Sequence, residues 1–281
     1  MFSILALASA ALYGAADFIG GLTSRRADTM AVVVISQGAG LMLVALLLPL
    51  LPAASPTASD WIWGAVAGIT GGVGVALLYR ALAVGIMAVV APVTALCAVA
   101  VPVTMAILLG ERPGMQASVG MTLAMIAIVL VSQQDSEPSS ADAPSGVGLA
   151  LASGVAIGLF FLSLARTSAT AGLWPLLVAR IVSVTFFGVA VLLLRRQALR
   201  MPRAVTMSAM AGDVVDMLAN LLYLLASRVG PLTLVVTLSS LYPASTVLLA
   251  RVFLGERVTV RQWVGVVCAL VAIVMIVSGT P

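Results

Sequence analysis

The sequence predicts an all-α integral membrane protein, with ten transmembrane helices arranged as two inverted five-helix repeats. Composition is the first reason. Of 281 residues 62% are hydrophobic and 9% are charged, where a soluble domain carries about 45–50% and 25%, so there are too few charges to cover a water-facing surface. The second is that the apolar residues come in blocks of about twenty, such as 30–51, 61–79 and 204–225, long enough as helix to cross a hydrocarbon core of ~30 Å. The third is that the second half of the chain repeats the first.

Reading the blocks against their Pro, Gly and charged breaks predicts spans at 3–21, 30–51, 61–79, 85–109, 115–132, 146–165, 173–194, 204–225, 232–254 and 262–278. The first span runs directly into a repeated motif, with no basic stretch before it and no small-residue cleavage site after it, and reads as a span rather than a removable signal peptide. Arg25 and Arg26 follow it closely. The third exits through Tyr79-Arg80-Ala81-Leu82, and the fourth and ninth end in Leu-Gly-Glu-Arg. Residues 133–145 form a polar linker, rich in Ser and Pro and carrying Asp135, Glu137 and Asp142, after the fifth. The seventh opens on Trp174-Pro175. No connection is long enough to hold a soluble catalytic domain.

The repeat is read from ordered anchors. Leu5 to Ser9 recurs as Leu149 to Ser153, and Gly14 recurs as Gly158, both at an offset of 144. Leu109-Gly110-Glu111-Arg112 recurs as Leu254-Gly255-Glu256-Arg257 at an offset of 145, followed by the matching pairs Val119-Gly120 and Val264-Gly265. Residues 1–132 and 146–281 are therefore expected to be two copies of one five-helix unit. Five is odd, so the second copy enters the bilayer upside down. Two such halves about an in-plane pseudo-twofold axis can exchange which side of a midplane site is open, the architecture of many secondary transporters.

With these residues in view the chain resembles the drug/metabolite transporter superfamily, specifically its ten-helix members with two EamA domains. The Leu-Gly-Glu-Arg motifs, Tyr79-Arg80-Ala81-Leu82 and Leu241-Tyr242-Pro243 carry the resemblance, which covers essentially the whole chain. It implies a central cavity lined by spans one to four and six to nine, peripheral spans five and ten, and export or uptake of small metabolites; a plasma-membrane exporter of a small metabolite or drug-like solute is the expected kind. One departure is that similar proteins often show Trp-Gly and small polar residues in span one, where this chain has Tyr13-Gly14-Ala15-Ala16-Asp17.

Ionisable residues inside a bilayer cost about 2.5–3.5 kcal/mol each on insertion scales, and usually face a partner or an aqueous cavity. Asp213, Asp216, Asn220 and Tyr223 follow one another by three, four and three residues along span eight, which puts them on one helical face. Either carboxylate could bind a cationic substrate or exchange a proton, with Asn220 and Tyr223 orienting the ligand. The corresponding residues of span three lie near Gly68 and Gly72, in a Gly64, Gly68, Gly72 ladder suited to close helix packing. Arg180 in span seven needs a counter-ion, for which Asp213, Asp216 and Asp17 are the candidates; a structural pair and a contact to a substrate carboxylate are both open. Tyr13 and Asp17 share a face of span one, where Asp17 either serves the site or pairs locally with Arg25 and Arg26. Pro92, Pro102 and Pro243 are candidate kinks or gating points. Glu111 and Glu256 are expected to stabilise the start of the following helix. Ser239 and Ser240 either touch ligand or bond back to the backbone.

No His is present, and Cys97 and Cys268 lie in separate spans, so neither a metal site nor a cofactor nor an enzyme's nucleophile–base pair is expected. The formal charge of +4 sits on Arg residues at helix ends, which points to lipid headgroups rather than nucleic acid. The expected partners are a small-molecule substrate and the bilayer. One chain suffices, and a homodimer is open. The Arg distribution puts both termini outside, whereas the resemblance implies the cytoplasm. A non-transporting membrane scaffold or assembly subunit is the alternative, in which Asp213 and Asp216 would be replaceable.

Overall fold

The computed structural model describes residues 1–24, 26–51, 53–84, 87–132, 146–194, 200–242, 244–245, 249, 252 and 260–278. The linker 133–145, Pro243 and the second Leu-Gly-Glu-Arg motif lie outside them. Among the described residues there are ten α-helices and no strand: α1 (Phe2–Ser24), α2 (Thr29–Leu47, continued by a 3-10 turn at Leu48–Leu50), α3 (Ala58–Val84), α4 (Met87–Leu108), α5 (Met115–Ser132), α6 (Val147–Ala165), α7 (Trp174–Leu194), α8 (Arg203–Val229), α9 (Leu232–Ser239) and α10 (Val260–Ser278). Six of them, α1, α2, α3, α6, α7 and α8, are long and apolar enough to cross a membrane.

Helix ends follow from local chemistry. Asp28 caps α2 by accepting from the amides of Met30 and Ala31. Thr57 and Asp60 form a capping box at the start of α3: the Thr57 amide donates to Asp60 Oδ2 at 2.7 Å and the Asp60 amide to Thr57 Oγ1 at 3.4 Å. Asp60 also accepts from the amide and hydroxyl of Ser168, tying α3 to the turn before α7. Gly110 ends α4 with φ 101°, while its own amide bonds to Ile107 and that of Glu111 to Ala106. This is a Schellman motif, and it explains the glycine of Leu-Gly-Glu-Arg. The ninth span is not continuous as expected. α9 stops at Ser239, whose carbonyl is four residues before Pro243, a residue with no N–H to offer it.

Apolar residues do not sort inward. Ile62, Leu193 and Val260 are exposed, while the interior is rich in small residues such as Ala6, Ala67, Ala98, Ala150 and Ala219, as expected where helices face lipid and pack on one another through small side chains. α1 lies on α8 and α9, α2 on α7 and α8, α3 on α6 and α7, and α4 on α6 and α9, while α5 and α10 pair with each other. If each helix is exchanged for the one five places away, this pattern returns itself: α1 with α8 becomes α6 with α3, and α2 with α8 becomes α7 with α3. Glycines set the closest approaches. A Cβ at Gly64, Gly68 or Gly72 would run into Pro175, Ala179 or Ser183 of α7, and one at Gly71 or Gly74 into Phe160 or Ile157 of α6.

Candidate functional site: a buried ion cluster beside a cavity

Arg180 projects from α7 into the centre of the bundle and is only 8% exposed. Its Nη2 donates to Asp216 Oδ2 at 2.6 Å, its Nη1 to Gln37 Oε1 at 2.6 Å, and its Nε to Met217 Sδ at 3.4 Å. Asp213 Oδ1 lies 3.5 Å from Nη1. One guanidinium thus joins α2, α7 and α8, with a fork geometry that suits two partners at once. Asp213 fits because α2 has a glycine opposite it: a Cβ at Gly40 would meet both Asp213 Oδ2 and Arg180 Nε.

The network continues into α1. Asn220 donates from Nδ2 to Asp216 Oδ2 and to the Asp216 carbonyl, each at 2.8 Å. Its Oδ1 accepts from the Tyr13 hydroxyl at 2.8 Å, and Ser9 donates to the Ala219 carbonyl at 2.8 Å. The Tyr13 ring meets Phe161 edge-on at 5.8 Å, and Phe161 contacts Tyr223 at 4.6 Å.

A cavity opens beside this cluster, lined from α1, α2, α3, α6, α7, α8 and Tyr242. Asp216, Asn220, Arg180, Asp17 and Tyr13 line it; Asp213 and Tyr223 do not. Tyr223 is fully buried and donates its hydroxyl to the Phe161 carbonyl at 3.0 Å. The stripe on α8 therefore divides. At 100° per residue Asp213 and Tyr223 are its two edges, ~80° apart around the helix and ~15 Å apart along it, while Asp216 and Asn220 are its middle.

Asp17 was open between the site and the nearby arginines. It lines the cavity and, among the described residues, has neither a hydrogen bond nor an ion pair. α4 runs as helix through Pro92 and Pro102, and none of its described side chains lines the cavity. Ser239 bonds to the Ala6 carbonyl at 3.4 Å. Glu111 corrects an expectation: it stabilises not the following helix but α9, taking the amides of Leu232 at 2.8 Å and Thr233 at 3.0 Å. Sequence reading misses Gln37, Gly40 and the phenylalanines Phe160 and Phe161. Only Gln37, a lone amide within an apolar run, leaves a signal there.

The profile of the EamA-like transporter family matches residues 1–133 and 144–278. The chain belongs to the EamA-like transporter family. As a member it is a multi-pass membrane protein of drug/metabolite transporter type. Among solved structures, 28 chains match it. One crystal structure aligns over 98% of this chain and 95% of its own with a TM-score of 0.73 and 14% identity, so this EamA-like chain shares that fold. No curated protein matches the sequence.

Proposed function

We propose that the protein is a secondary active transporter, not an enzyme, that exports a small metabolite or drug-like solute by alternating access through the central cavity. The carrying observation is the cavity itself, walled by helices from both halves and lined by Arg180, Asp216 and Asp17 together with aromatic rings. In this reading residues 1–132 and 146–281 are two inverted five-helix units of ten spans in all, joined by the linker 133–145. The helix pairing that maps onto itself when the halves are exchanged supports that arrangement. Asp216, Asn220, Arg180, Asp17 and Tyr13 form the solute path, with Asp213 holding Arg180 from behind and Tyr223 bracing Phe161. A single chain is sufficient, and its place is a bacterial inner membrane.

Proton exchange at Asp216 drives the cycle in this proposal. Among the described residues Asp216 is the one carboxylate that both faces the cavity and pairs with Arg180, so protonating it would weaken a contact between α7 and α8. Solute movement in proteoliposomes, for a labelled panel of amines, amino acids and nucleosides with and without a pH gradient, tests the reading. A gradient should drive accumulation of at least one compound, and Asp216→Asn should abolish the driving force while the protein stays folded. If nothing moves and cells tolerate Asp213→Asn and Asp216→Asn, the scaffold reading replaces this one.

A further inference from the structure

Resting on the transporter reading, we infer that the solute is an organic monocation with a flat apolar body, and that Asp17 is its counter-ion. The charges lining the cavity decide this. They are Arg180, Asp216 and Asp17, with Asp213 adding a further negative charge behind Arg180. Arg180 is committed: its three nitrogens have partners on α2 and α8. A solute carboxylate could take the guanidinium only by leaving buried Asp213 or Asp216 unpaired. Asp216 is committed as well, its Oδ2 accepting from both Arg180 and Asn220.

Two of the cavity's neutral donors, Tyr13 and Asn220, point the same way. The Tyr13 hydroxyl donates to Asn220 and the Asn220 amide to Asp216, so both are turned into the cluster rather than toward an incoming anion. Asp17 alone offers the cavity a carboxylate without a hydrogen bond or ion pair among the described residues. An ammonium beside it would offset part of the excess negative charge that Asp17, Asp213 and Asp216 leave over Arg180.

The walls select the rest of the solute. Tyr13, Phe160, Phe161 and Tyr242 line the cavity, and aromatic faces attract both apolar rings and cations. Gly68 and Gly71 of α3 line it as well, and at Gly71 the space of the absent side chain is taken by the Phe160 ring, which adds to the aromatic wall.

The test is calorimetric titration of the purified full-length chain with four solutes of one shape: 2-naphthylethylamine and the corresponding alcohol, carboxylate and amino acid. The amine should bind about tenfold or more tightly than the alcohol, and the carboxylate and amino acid more weakly still. Asp17→Asn should lower amine affinity by about tenfold and remove its advantage over the alcohol, whereas Asp17→Glu should keep both. Thermal unfolding checks that the Asn variant is folded; should it not be, the Glu variant and the ranking on the native protein decide. Preference for the carboxylate or amino acid overturns the assignment. So does equal or absent binding of all four, or an Asp17→Asn protein that holds the amine as tightly as the native one. None of these outcomes touches the transporter reading, which depends on movement of a solute of any charge.

Discussion

α3 and α8 occupy corresponding places in the two halves, and they solve the same packing problem with opposite chemistry. α3 presents Gly64, Gly68 and Gly72 to α7, so close that a Cβ at any of the three would strike the neighbour. α8 presents Asp213 and Asp216 near the equivalent positions, and there the neighbour makes the room: Gly40 of α2 leaves the space that the Asp213 carboxylate occupies. One contact sets glycine backbone against the α7 backbone at Gly64 and Gly68 and against Ser183 and Phe187 at Gly72; the other is an ion cluster wedged between helices. Fold alone requires only the first kind, since the first half manages without charge. In the proposed function, Asp216 of α8 marks the half in which the scaffold has been given a solute-facing role.

Substitutions can break this comparison at graded strength. Arg180→Met should be the most damaging, because it leaves buried Asp213 and partly buried Asp216 without their cation, and a loss of about 3 kcal/mol is expected in unfolding measurements in detergent. Adding Asp213→Asn and Asp216→Asn to it should recover most of that stability but none of the solute movement in vesicles. That would show the cluster to be kept for function rather than for folding. Gly68→Ala should cost about 1–3 kcal/mol, since the new methyl meets the Ala179 backbone, and crosslinking between α3 and α7 should report a wider spacing. Glu111→Gln removes a charge-assisted cap and should cost about 1 kcal/mol, seen as faster amide exchange at Leu232 and Thr233. Gly38→Ala, with nothing within 4 Å of its Cβ, should leave unfolding unchanged within about 0.5 kcal/mol.

What could be read from the sequence follows from where the physics is local. Helical spans are legible because hydrocarbon thickness fixes their length, and the α3 ladder because small residues at helical spacing announce a close neighbour. Arg180, Asp213 and Asp216 are legible because a charge in an apolar run stands out. Their division of labour is not, since which edge of the α8 stripe meets the cavity depends on how α8 is rotated against α1 and α2. Gly40 is invisible for a similar reason, being one glycine among many until the helix opposite is known. The early end of α9 has a sign in Pro243, but a continuous apolar pattern from 232 to 254 hides it. The Thr57–Asp60 capping box is a contact across three residues that the reading of spans passes over, whereas the partner of Glu111 lies 121 residues away and no local rule reaches it.

That distant cap bears on how the chain is made. Glu111 precedes the amides of Leu232 and Thr233 that it accepts by more than a hundred residues, so it is synthesised before the ninth helix. A fragment starting after residue 145 would bring α9 to the bilayer with those amides bare. The order of translation thus supplies a template: the earlier half can be completed without the later one at this point, while the later half borrows a finished end from its predecessor.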